Sequence, residues 1–145
     1  MNDVQPITKD HFAKRLVDLC LRSGLSGFPK DDVDQHILLK SAVLTFDQSG
    51  TYTEAEINAK LQYWINQVSQ IKGIDHGTLR RWLIDAGYLT RSKDGSSYQV
   101  SPTGNPAYSF DAAIEQIDVV EVIQNGREEI ERRKREYMEK SKKKT

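Results

Sequence analysis

The sequence predicts a mainly α protein with a small antiparallel β-hairpin: a winged-helix-like module preceded by an N-terminal helix and followed by a long C-terminal helix. Two observations carry this expectation. Residues 75–100 read in turn as a helix, a glycine stop, a strand, a tight turn and a second strand, all within one supersecondary unit. Residues 111–140 join a stripe of Ile114, Ile117, Val120 and Ile123 to a run of carboxylate-first charge pairs four residues apart.

The elements follow in chain order. Residues 8–22 form an amphipathic helix with Phe12, Leu16, Leu19 and Cys20 on one side, ended by Ser23-Gly24. Gly24, Gly27 and Pro29 punctuate a connector. Asp31, Asp32 and Asp34 put negative charge at the start of the next helix, where the backbone dipole favours it, and the run from Val33 to Phe46 is apolar enough to be largely buried. A turn at residues 47–50 leads to Thr51-Tyr52, a very short strand available to pair with a wing. Thr53 and Glu56 have capping-box spacing, and Ile57, Leu61, Trp64, Ile65 and Val68 follow at helical intervals. Asp75 caps the next helix, which buries Leu79, Trp82, Leu83 and Ala86 and stops at Gly87. Residues 88–93 and 96–101 then pair across Asp94-Gly95, a dipeptide suited to a type I′ turn with Gly95 at positive φ.

Pro102, Gly104 and Pro106 mark a linker, and Asp111 is placed to cap a last helix that weakens at Asn125-Gly126 before resuming toward Lys140. In that second half Glu128–Arg132, Glu129–Arg133, Glu131–Arg135 and Glu136–Lys140 are spaced to support a helix standing in water. The expected organisation is thus an N-terminal extension over residues 1–27, a winged-helix-like domain over 28–101, a linker over 102–110 and a charged helix over 111–145.

Composition limits the function. The chain of 145 residues has 21 basic and 21 acidic side chains, so it lacks the overall positive charge of a strong polyanion binder. The balance is uneven: residues 127–145 carry nine basic against five acidic, a net of +4, and the body is mildly acidic. The first ten residues lack the basic-then-apolar pattern of a secretion signal and no stretch has the apolar length of a membrane span, which leads to the expectation of a cytoplasmic protein with no membrane partner. Cys20, the only cysteine, excludes an internal disulfide and falls among apolar neighbours as a small hydrophobe. His11, His36 and His76 show no metal-ligand spacing, and a surface or capping role is their default. Phosphate-cradling loop, nucleophile elbow and acidic metal motif are all lacking, so neither an enzyme nor a cofactor is expected.

Geometry then points to double-stranded DNA. In a winged helix the helix before the hairpin enters the major groove, and on that helix Arg81 lies opposite Leu79 and Leu83 with Arg80 at the flank. Lys93 at the wing turn and Lys72 before the helix are placed for phosphates on either side. Arg80, Arg81, Lys93 and Lys72 are therefore the candidate contacts. Against this, residues 31–100 carry seven basic and nine acidic side chains, and Arg80 or Arg81 can be neutralised by Asp85, Glu54 or Glu56. The alternative is a protein-interaction or adaptor module of the same fold, homodimeric or bound to another protein, presenting Ile84, Tyr63 and the charged tail.

Phe28-Pro29, Tyr52-Thr53-Glu54 with Glu56-Ile57-Asn58, Asp75, Leu79-Arg80-Arg81 with Leu83, Gly87, Leu89 and Arg91, then Gly95 and Tyr98, together resemble a bacterial family, the domain of unknown function 2087. The first 27 residues and everything after Pro102 lie outside that resemblance. It implies a small helical domain with a winged-helix-like end, linked to transcription.

Overall fold

The structure, a computed structural model, describes residues 5–101 and 104–143; the expectations that fall on residues 1–4, on Pro102 and on the last two residues lie outside them. The chain is mainly helical with one small antiparallel sheet. Thr8 accepts a hydrogen bond from the His11 amide to start α1 (Lys9–Val17), whose end widens into a π-helical turn at Asp18–Arg22. Asp31 caps α2 (Asp32–Val43) through the Asp34 amide, and the Arg15 guanidinium clamps α1 to α2 with two bonds of 2.7 and 2.8 Å to the Asp34 carboxylate. The charge on Asp34 is thus offset where the side chain is buried.

The short strand β1 (Thr51–Tyr52) precedes α3 (Glu54–Trp64), which begins with the expected capping box: Thr53 Oγ1 accepts from the Glu56 amide and Glu56 Oε1 accepts from the Thr53 amide. α3 also ends in a π-helical turn, Ile65–Ser69, closed by Gln70 in the left-handed region at φ 53°. Asp75 caps α4 (His76–Asp85), and β2 (Leu89–Arg91) and β3 (Tyr98–Val100) follow. β3 is central, with antiparallel β1 and β2 at its sides, so the order is β1-β3-β2 and Tyr98 stands opposite both Tyr52 and Arg91.

Under this sheet lies one core, in which Trp64, Leu79, Leu83, Ile57 and Leu61 are fully buried. Trp64 Nε1 donates to Ser41 Oγ at 2.9 Å and the Ser41 hydroxyl donates to the Leu38 carbonyl, so the buried polar atoms are satisfied. Tyr52, Tyr88 and Tyr98 are buried, whereas Trp82, expected inside with Leu79 and Leu83, is half-buried and packs on Phe28 with ring centres 4.2 Å apart.

Three expectations are corrected. Gly95 does adopt positive φ, at 76°, but Asp94 does not, so the hairpin is not closed by a type I′ turn. The wing loop is wider: the Ser92 amide donates to the Ser97 carbonyl, and the Asp94 carboxylate gathers the Ser92 hydroxyl and the Ser96 amide and hydroxyl at 2.7, 3.0 and 2.7 Å. Those bonds reward the longer loop and hold the Asp94 carboxyl down at about 2.

The second correction concerns residues 111–126. Asp111 makes no side-chain cap, and a single 3-10 turn at Ala112–Gln116 buries Ile114 before the chain extends at Ile117. Asp118 then supplies the cap, through the Glu121 amide, and α5 (Val119–Lys143) runs without a break through Asn125-Gly126. Gly126 is where α5 meets α1: a Cβ there would lie 2.9 Å from both Cγ atoms of Val17, so the residue read as a weakness is a close crossing.

The third is Ile84, expected to be exposed, which is partly buried against the core. The stretch expected as a linker is laid down on the body over its described part. Asn105 Nδ2 donates to the Ala86 carbonyl, and Tyr108 stacks on His36 at 3.8 Å. Ile7 and Phe110 form a parallel bridge, in which the Ile7 amide donates to Ser109 and the Asp111 amide donates to Ile7.

Candidate nucleic-acid interface

α4 is placed by its cap and its apolar side. Asp75 accepts from the Thr78 amide at 2.8 Å and from the Thr78 hydroxyl at 3.0 Å, which lowers its carboxyl below the ordinary carboxylate range. Leu79 and Leu83 are fully buried, which fixes the rotation of the helix and leaves Arg81 on the exposed side.

Its neighbour is treated differently. Arg80 turns back onto α3, where a guanidinium nitrogen bonds Asn58 Oδ1 and stands 3.3 Å from Glu54 Oε1. Its side chain is 24% exposed and its charge is partly met by a carboxylate, so Arg80 fastens α4 to α3. Two adjacent arginines thus divide the work, one holding the helix and one facing outward.

Between α4 and the hairpin runs a cleft lined by Arg80, Arg81 and Asp85 of α4, by Arg91 and Tyr98 of the strands, and by Glu54 of α3. Arg91 was missed in the sequence reading as a site residue. Its guanidinium lies 6.0 Å from the centre of the Tyr98 ring, a cation over an aromatic face. Strand alternation could have found it, since Arg91 is two residues beyond buried Leu89 and shares that face of the sheet. The structure therefore gathers Arg80, Arg81 and Arg91 on one cleft. Lys93, in the wing loop, and Lys72, in the connection before α4, are both exposed and neither lines it.

Other titratable groups lie in the body. His36, given a surface or capping default, is instead buried: Nδ1 is 2.7 Å from the Tyr88 hydroxyl and the ring stacks on Tyr108. Burial holds the imidazole below its ordinary value of 6.5 and pushes the Tyr88 phenol up. Cys20 is buried as expected and its thiol is pushed up to about 12, far from a reactive thiolate. Among the described residues no three His, Cys, Asp or Glu side chains are grouped to hold a metal ion, and no helix is long and apolar enough to cross a membrane.

Residues 24–100 match the family described as uncharacterized proteins conserved in bacteria, domain of unknown function 2087. The match spans more than half of the chain, from the connector before α2 to the end of β3. No curated protein and no solved structure matches significantly. The chain belongs to this bacterial family, and the cleft between α4 and the hairpin lies inside the matched region.

Proposed function

We propose that this chain is a cytoplasmic, transcription-related DNA-binding protein that uses α2, α3, α4 and the β2–β3 hairpin as a winged helix. The observation that carries the reading is topological. A short strand lies between the first and second helices of the module, the hairpin follows the third, and the first strand pairs with the last to give the order β1-β3-β2. This arrangement sets a hairpin beside the third helix, so that helix and wing can meet the groove and the flanking backbone together.

In this reading α4 enters the major groove with Arg81 as the base-edge contact. Arg91 extends the cationic line into the wing, and Lys93 and Lys72 neutralise phosphates. Arg80 acts mainly by keeping α4 in place on Glu54 and Asn58. The observation that favours the adaptor reading is the same ion pair: with Arg80 engaged and residues 31–100 carrying a net charge of −2, few free cations face a polyanion.

Fluorescence anisotropy with a random DNA duplex at about 50 mM salt separates the two readings. Saturable binding is expected, with Arg81→Ala and Lys93→Ala each weakening it and shallowing the salt slope by about one. Asn66→Ala, at an exposed position of the π-helical turn that follows α3, serves as the control and leaves both quantities unchanged. Failure of the intact protein to bind at low salt would overturn the proposal and leave the adaptor reading.

A further inference from the structure

The distal half of α5 carries a surface that the DNA reading does not use. From Glu131 to Lys142 every residue is exposed, including Tyr137 at 74% and Met138 at 59%. With residues placed about 100° apart around the axis, Arg127, Ile130, Arg133, Lys134, Tyr137 and Met138 fall within an arc of about 140°. The carboxylates Glu128, Glu129, Glu131, Glu136 and Glu139 all fall outside it on the same projection. The helix therefore has one face of cations and apolar groups with no acid in it, and that face continues the one buried nearer the start of α5 at Val119 and Ile123.

Where the helix leaves the body this face becomes a groove, lined by Ile130, Arg133, Lys134, Tyr137 and Met138 and walled by Arg22 from the π-helical end of α1. Glu129 steadies Arg133 from the edge at 2.9 Å. A second α5 would be a poor occupant, because Arg133 and Lys134 recur on the face it would bring. A nucleic-acid backbone would meet the cations and leave Tyr137 and Met138 uncovered. The complement in both charge and polarity is a helix with an apolar edge bordered by carboxylates.

We propose that this groove is a docking site for an acidic amphipathic helix of a protein partner. Its apolar side chains would cover Ile130, Tyr137 and Met138, and its flanking carboxylates would meet Arg22, Arg133 and Lys134. The surface is separate from the cleft beside α4, so this inference stands or falls independently of DNA binding.

The test uses the full chain and a fluorescein-labelled helical peptide of roughly 20 residues, with leucines at i, i+3, i+4 and i+7 and glutamates around them. The expected result is saturable binding that weakens with salt and falls at least tenfold in Tyr137→Ala/Met138→Ala and in Arg133→Glu/Lys134→Glu. The same peptide with serine for leucine should not bind. Circular dichroism checks that the variants keep their helix, and Glu136→Gln, on the opposite face, should bind as the parent does. No binding of the leucine peptide, or binding indifferent to both double variants, would overturn the proposal. So would retention of phosphatidylserine vesicles or of a random duplex that disappears in Tyr137→Ala/Met138→Ala, because the face would then belong to lipid or to nucleic acid.

Discussion

α5 is one helix in two environments. Its first turns lie against α1 and the π-helical ends of α1 and α3, with Val119 and Ile123 buried, whereas Glu131–Lys142 stand in solvent. In the body the backbone is fixed by what it covers. In the projecting half it rests on contacts within the helix itself, where Glu129–Arg133 closes as an ion pair and, among the described residues, the other expected pairs four residues apart do not. The same regular geometry thus stands on long-range packing at one end and on local contacts within the helix at the other, and the two should respond differently to substitution.

The comparison is broken most forcefully inside the body. Trp64→Ala removes a fully buried ring and its bond to Ser41, and should cost about 3–5 kcal/mol in a urea titration, with the α5 signal lost in the same transition. A separate, earlier loss of α5 would show that the helix does not depend on the core beneath it.

At the boundary, Gly126→Val forces a branched side chain into Val17 and should destabilise by about 1–3 kcal/mol. Gly126→Ala should cost less, since the better helix propensity of alanine returns up to about 1 kcal/mol. If both variants are more stable than the parent, the crossing with α1 is looser than the Val17 contact implies.

Acid sharpens the difference again. His36 is held below its ordinary value of 6.5 by burial, so the folded state binds its proton less readily than the unfolded chain does. Stability contributed by neutral His36 is present above pH 6.5 and is lost as the pH falls through the lower folded value. Equilibrium unfolding should therefore show a decline just below pH 6.5 that His36→Gln removes, while the helicity of the projecting half of α5 does not follow it. The smallest effect is expected there: Glu129→Ala removes one exposed pair and should cost about 0.2–0.5 kcal/mol, seen as slightly greater fraying by circular dichroism.

What was legible in the sequence follows the same division. The Thr53–Glu56 box and the Asp75 cap are bonds across three residues, so residue type and spacing place them. Asp31, by contrast, reads only as charge at a helix start, and Asp111, a cap by the same rule, makes none because the chain there forms a 3-10 turn. Asn125-Gly126 misled because propensity argues for a break, and only the distant Val17 explains why glycine is needed within a continuous helix. The burial of His36 depends on Tyr88 and Tyr108, which flank the β2–β3 hairpin in the chain and lie far from His36 in sequence. At the candidate interface the rotation of α4 was readable from Leu79 and Leu83. Arg91 was within reach of the same kind of reading, through strand alternation from Leu89, whereas the engagement of Arg80 by Asn58, 22 residues away, is a tertiary fact that spacing along the chain does not encode.

The bridge between Ile7 and Phe110 has a mechanical consequence. It fastens the segment leading into α5 to the segment leading into α1, and Phe110 meets Phe12 edge-on just beyond it, with ring centres 6.1 Å apart. A pull on the distal part of α5 is therefore met by its packing on α1 and on the π-helical ends of α1 and α3, and by two backbone hydrogen bonds joining neighbouring extended segments. The load enters through α1 and the π-helical ends of α1 and α3, and along the chain it meets the Ile7–Phe110 bridge before the Asn105–Ala86 bond that leads to the end of α4.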